Sequence, residues 1–138
     1  MKYFTKSYIR EADCREIQGL RSVFEAHDWY CQPSCFNIPY TLSHGAMIDK
    51  EVRGKDYIWL PTGDQLDEEI VKIVEKIDYI DYPDYWCGKV TRVRDGVVSK
   101  YWQCYVDNFD YERFREFKDI NPLIAKIKLL KQLIKEVK

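Results

Sequence analysis

The dipeptide Asp95-Gly96, lying inside "KVTRVRDGVVSKYW", constrains the fold more than any other feature of this chain. Both residue types tolerate the positive φ of a type I′ turn, whose twist matches that of the strands it joins. A two-residue turn also fixes register, so paired residue numbers sum to 191. Val93 then faces Val98, Lys89 faces Trp102, and Cys87 faces Cys104. A lone two-stranded hairpin is marginal in water. The rest of the chain must therefore supply further strands and a cover.

The other elements follow from local signals. Thr5 can cap a first helical turn carrying Tyr8, Ile9 and Ala12. Asp13 and Glu16 have the spacing of a capping box for a second short helix, which Gly19 can end. "DWYCQ" (28–32) reads as a strand stopped by Pro33, and "DYIWL" (56–60) as a second closed by Pro61. Between them, Ser34 to Lys55 reads as loop with at most one short strand near Ala46 to Ile48. Thr62 and Gln65 form a T-x-x-Q capping box, with Pro61 and Leu66 as hydrophobic staple, for a helix over 64–77. Its apolar stripe is Leu66, Ile70, Ile73, Val74 and Ile77, which leaves Asp67, Glu68 and Glu69 on the solvent side. Asn121 as N-cap and Pro122 at the first position open a terminal helix over 122–137. Leu123, Ile127, Leu130, Ile134 and Val137 make its seam, and covering the sheet is its expected role. The segment "DYIDYPDYW" (78–86) reads as an extended link whose tyrosines cover core edges.

Composition sets outer limits. The 138 residues, 46% hydrophobic and 15% aromatic, suit one folded domain over 1–138. The formal net charge of −1 excludes a polycation that coats nucleic acid. No apolar run reaches the length of a membrane span, and "MKYFTKSYIREAD" lacks the apolar core of a signal peptide. Five cysteines, an odd number, point to free thiols in a reducing compartment. The expected location is the cytoplasm.

Reaction chemistry finds little footing. His27 and His44 are the two histidines, and no nucleophile motif surrounds a cysteine. No glycine-rich phosphate loop is present. His27, Cys31 and Cys35 lie at intervals of four, but on a strand His27 and Cys31 would stand about 13 Å apart, too far for one ion. Facing Cys87 and Cys104 could form a redox-responsive bridge, although packing as small buried residues is the expected role. Neither a cofactor nor a metal is expected, and the chain is not expected to be an enzyme.

The hairpin carries the candidate site. Lys89, Arg92, Arg94 and Lys100 are interleaved with Trp86, Tyr101, Trp102 and Tyr105, and Tyr82 and Tyr85 precede them. Trp, Tyr and Arg dominate protein-recognition hot spots. The same residues could neutralise phosphates and stack bases, so a single-stranded nucleic-acid binder is the first alternative. A small-ligand or nucleotide-binding protein is the second. The oligomeric expectation is a monomer or homodimer.

Three segments, "CREIQGLR" (14–21), "HDWYCQPS" (27–34) and "DYIWLPTGDQLDEEI" (56–70), resemble a group of small uncharacterised proteins of tailed bacteriophages and prophages. That group shows "EIQ", a "GDWY"-like strand and a "WLP-x-x-DQL" junction. His27 departs from it by standing where the group commonly has glycine, and the group has no assigned catalytic residues to transfer. The resemblance covers roughly the first half of the chain. It implies a phage origin, an α+β fold and action in the bacterial host cytoplasm. The resulting expectation is an α+β domain: one antiparallel sheet built from "DWYCQ", "DYIWL" and the hairpin, covered by two main helices. Its function would be non-catalytic binding to a host protein, as in counter-defence or host takeover.

Overall fold

A computed structural model describes residues 2–21, 23–25, 27–32, 39–41, 48–49, 57–77, 84–107 and 113–137, without the side chains of 23, 24, 48, 49, 113 and 114. The fold is α+β, and the chain divides into two compact units, Met1–Thr62 and Gly63–Lys138. No helix among the described residues is long and apolar enough to cross a membrane.

The first unit begins with α1 (Lys6–Ala12) and α2 (Arg15–Gln18). Thr5 caps α1 as expected, its Oγ1 accepting from the Tyr8 amide at 3.2 Å. The expected capping box at Asp13 and Glu16 does not form. Cys14 occupies the N-cap of α2 with no side-chain cap bond, and Gly19 ends the helix in right-handed geometry. Strand β1 (Val23–Phe24) pairs antiparallel with β4 (Ile48–Asp49). Strand β2 (Trp29–Cys31) lies between β3 (Tyr40–Thr41) and β5 (Ile58–Leu60) in an antiparallel sheet. His27, at φ 69°, falls in the turn before β2 and outside it.

Two polar anchors hold this unit together. The Gln18 side chain pairs with both backbone groups of Trp59: Oε1 accepts from the amide at 2.8 Å and Nε2 donates to the carbonyl at 3.0 Å. An amide side chain thus acts as one more strand residue on β5. Tyr8, fully buried, donates its hydroxyl to the Pro61 carbonyl at 2.6 Å. Burial raises the Tyr8 pKa well above the phenol value. Arg21 lies over the Trp59 ring at 4.8 Å and pairs with buried Asp28 at 3.6 Å.

The second unit opens with α3 (Gly63–Val74), whose last turn continues through bonds such as Ile77 N to Val74 O, 3.2 Å. Leu66, Ile70, Val74 and Ile77 of the stripe are buried, and Ile73 is half-buried at its edge. Strands β6 (Asp84–Arg94) and β7 (Val97–Asp107) form the expected hairpin. Every pair from Asp84↔Asp107 to Arg94↔Val97 sums to 191. Asp95 and Gly96 have φ of 51° and 77°, the left-handed pair that the turn needs.

A strand absent from the sequence reading, β8 (Arg113–Asp119), pairs antiparallel with β7 from Trp102 to Asp107 and completes the order β6-β7-β8. The single sheet expected from "DWYCQ", "DYIWL" and the hairpin is therefore two separate three-stranded sheets. The terminal helix α4 (Pro122–Val137) starts as read, with Asn121 Oδ1 accepting from the Leu123 amide at 2.9 Å. It buries Leu123, Ile127, Leu129, Leu130, Leu133 and Ile134, while Val137 at the end of the seam is exposed. Each fully buried Leu or Ile contributes about 1.5–3 kcal/mol.

Cys87 and Cys104 face each other as read, with Cα atoms 4.1 Å apart, but they are joined as a disulfide. This corrects the expectation of two packing thiols. Directly opposite residues already bring the Cβ atoms close, so the register itself supplies most of the approach a disulfide needs. Cys14 and Cys31 carry no disulfide.

Candidate binding face of the hairpin

Because side chains alternate across a strand, the register sorts the hairpin into two faces. One carries Tyr85, Cys87, Cys104 and Val106 and is covered by the helices. Cys104 and Val106 are fully buried there. Tyr85 donates its hydroxyl to Asp67 Oδ1 of α3 at 2.7 Å, and Arg115 of β8 is paired with Glu136 of α4. Asp67 also receives Lys126 Nζ of α4 at 3.0 Å. The expected solvent-side role of Asp67 is thereby corrected: it ties α3, β6 and α4 together. Burial first, then the hydrogen bond and charge of Asp67, hold the Tyr85 hydroxyl far above the phenol range.

The other face carries Trp86, Gly88, Val90, Arg92 and Arg94 of β6, with Tyr105, Gln103, Tyr101, Ser99 and Val97 opposite them. Trp86 is 41% exposed, and its ring lies over Gly88. A Cβ at Gly88 would meet the indole at 2.6 Å, so glycine there is what lets the ring lie flat on the sheet. The Tyr105 ring sits 5.1 Å from that of Trp86. Lys118 of β8 extends over the Tyr101 ring at 5.5 Å and pairs with Glu116 at 3.2 Å. Glu116 also accepts from Gln103, a buried amide. The result is a row of rings running toward two arginines.

Beyond the Val90–Tyr101 pair the hairpin changes character. All residues from Thr91 to Lys100 are exposed, on both faces. The pairing of β8 with β7 stops at Trp102, so among the described residues this distal arm is two-stranded. Val93, Val97 and Val98 are 68%, 63% and 57% exposed, beside Arg92, Arg94 and Lys100.

Of the residues proposed from sequence, Trp86, Arg92, Arg94 and Tyr101 share the open face. Lys100 belongs to the arm but points to the opposite side. Trp102 is half-buried on the helix-side face, and Tyr85 is committed to Asp67. Tyr82 lies outside the described residues, as does most of the Asp-Tyr segment and also Cys35 of the metal spacing. Tyr105, read from sequence with the hairpin rings, also lies on the open face opposite Trp86. Sequence reasoning left Lys118 and the arm valines out of the site. The valines were recoverable, since the register already places them. Lys118 was not, because β8 carries no period-2 pattern: Phe114 and Phe117 are three residues apart.

A concavity of about 390 Å³ is lined by Asp67, Glu68, Val71, Lys72 and Glu75. These residues come from α3 and the turn that follows it, on one side of that segment. Cys31, buried in β2, has its thiol pushed up to about 11, by burial first and the Asp13 charge second, which makes it a poor nucleophile at neutral pH. Comparison with protein-family models, with curated proteins and with solved structures finds no match for this chain.

Proposed function

We propose that the protein is a small phage-type accessory protein that binds a host protein without catalysis, through the open hairpin face and its arm. The single observation that carries this reading is the arm itself. Ten consecutive residues form a ribbon in which every residue is exposed, and three of its valines are more than half exposed: Val97 on the face of Arg92 and Arg94, and the Val93–Val98 pair on the other. Isolated ribbons of this kind are marginal in water, and exposed apolar clusters rimmed by charge mark interaction sites. The Trp86–Tyr105 ring pair at its base adds the residue types that dominate protein hot spots. The resemblance of the first half to phage proteins is the reason for seeking that partner among bacterial host proteins.

Affinity capture from a bacterial lysate tests it. The wild type should retain a defined host protein, and Arg92→Glu with Arg94→Glu should lose it while the fold is unchanged. Equal capture by both would reject this surface. A second reading, single-stranded nucleic-acid binding, is favoured by the line of Trp86, Tyr105 and Tyr101 on one open sheet face. Its signature is oligonucleotide affinity that falls steeply with salt.

A further inference from the structure

We propose that the free edge of β6 is where the partner docks, and that the partner does so as an extended acidic segment added to the sheet as a further strand. This rests on the protein-binding reading above and specifies its mode. In the order β6-β7-β8, β6 is terminal, and no described strand lies on its other side. Two observations say which of its backbone groups point outward. Arg94 and Val97 flank the two-residue turn and so form a hydrogen-bonded pair, after which bonded and non-bonded pairs alternate along the ladder. Independently, the 4.1 Å Cα separation of Cys87 and Cys104 is that of a non-hydrogen-bonded pair, whose N–H and C=O groups face away from the partner strand. Both arguments give the same set. Tyr85, Cys87, Lys89, Thr91 and Val93 present their amides and carbonyls to the open edge.

The side chains along that edge select the occupant. From Gly88 to Arg94 every charge is positive: Lys89, Arg92 and Arg94. A second copy laid antiparallel over the same stretch would crowd cations together, whereas glutamates or aspartates at alternate positions would meet Arg92 and Arg94 on the open face. Trp86, half-exposed on that same face, offers an apolar surface to a neighbouring side chain of the added strand. Main-chain bonds would supply affinity and alternate side chains specificity, as in strand addition generally.

The probe is a labelled, end-blocked peptide of alternating glutamate and valine, long enough to span Tyr85 to Val93, read by fluorescence anisotropy. It should bind the full-length protein, and the matching lysine–valine peptide should not. N-methylation of alternate peptide amides, in the phase that faces β6, should weaken binding roughly tenfold or more, because it removes donors without altering charge. Thr91→Pro should do the same from the protein side, since it deletes an outward amide and no β6–β7 bond. If Thr91→Pro unfolds the hairpin, the N-methyl comparison still decides on intact protein. Binding that is lost with Arg92→Glu and Arg94→Glu but indifferent to N-methylation would overturn strand addition while leaving the face reading in place. No binding of the acidic peptide, or an edge already filled by a second copy in light scattering, would also overturn it.

Discussion

The two halves of one hairpin make the instructive comparison. Both obey the same register and the same turn. From Asp84 to Val90, with Tyr101 to Asp107 opposite, the ladder has β8 alongside and α3 and α4 beneath, and it buries Gln103, Cys104 and Val106. From Thr91 to Lys100 it has neither, and every residue is exposed. Strand propensity and turn chemistry are equally good in the two halves, so they cannot be what separates them. What separates them is whether a neighbour covers the pleat. The base is held by burial, whereas the arm is held only by its own ladder and by its attachment to the base.

Three substitutions break or sharpen that contrast, in decreasing order of effect. Leu130→Ala removes a fully buried side chain of α4 and should cost about 2–5 kcal/mol in urea denaturation. A smaller loss would mean that α4 is not the cover of this unit. Tyr85→Phe deletes the bond to Asp67 and should cost about 0.5–1.5 kcal/mol near neutral pH. The same residue predicts a pH dependence. Its folded pKa is raised, so its contribution is full below the ordinary phenol value of 10.0 and is lost as pH rises beyond it, where the unfolded chain ionises first. Stability measured from pH 9 upward should therefore fall less steeply in Tyr85→Phe than in wild type. Val93→Ser with Val98→Ser, in the arm, should shift stability by no more than about 0.5 kcal/mol. A cost near that of Leu130→Ala would show that the valines are packed after all.

How much of this was legible in the sequence follows from where the information sits. The Asp95-Gly96 turn, the Thr5 cap and the Asn121-Pro122 start are each written in a few adjacent residues, and each is found as read. The separation into two sheets, the addition of β8 and the capture of Asp67 by Tyr85 and Lys126 depend on residues far apart in sequence. No local signal carries them. The candidate site divides in the same way. The ring and arginine residues were visible in composition, but only the ladder tells which of them share a face. Gln18 shows the converse case. The "EIQ" and "WLP" segments are grouped in sequence only by a resemblance, and the structure joins them physically through the Gln18 side-chain amide on Trp59.

Amide hydrogen exchange, read residue by residue with and without the captured host protein, tests the central claim most directly. In the free protein the amides of Cys104 and Val106 should approach global protection, and those from Thr91 to Lys100 should exchange far faster. On binding, protection should rise in the arm and along β6 while the base stays as it was. Protection gained elsewhere, with the arm still exchanging freely, would contradict the account.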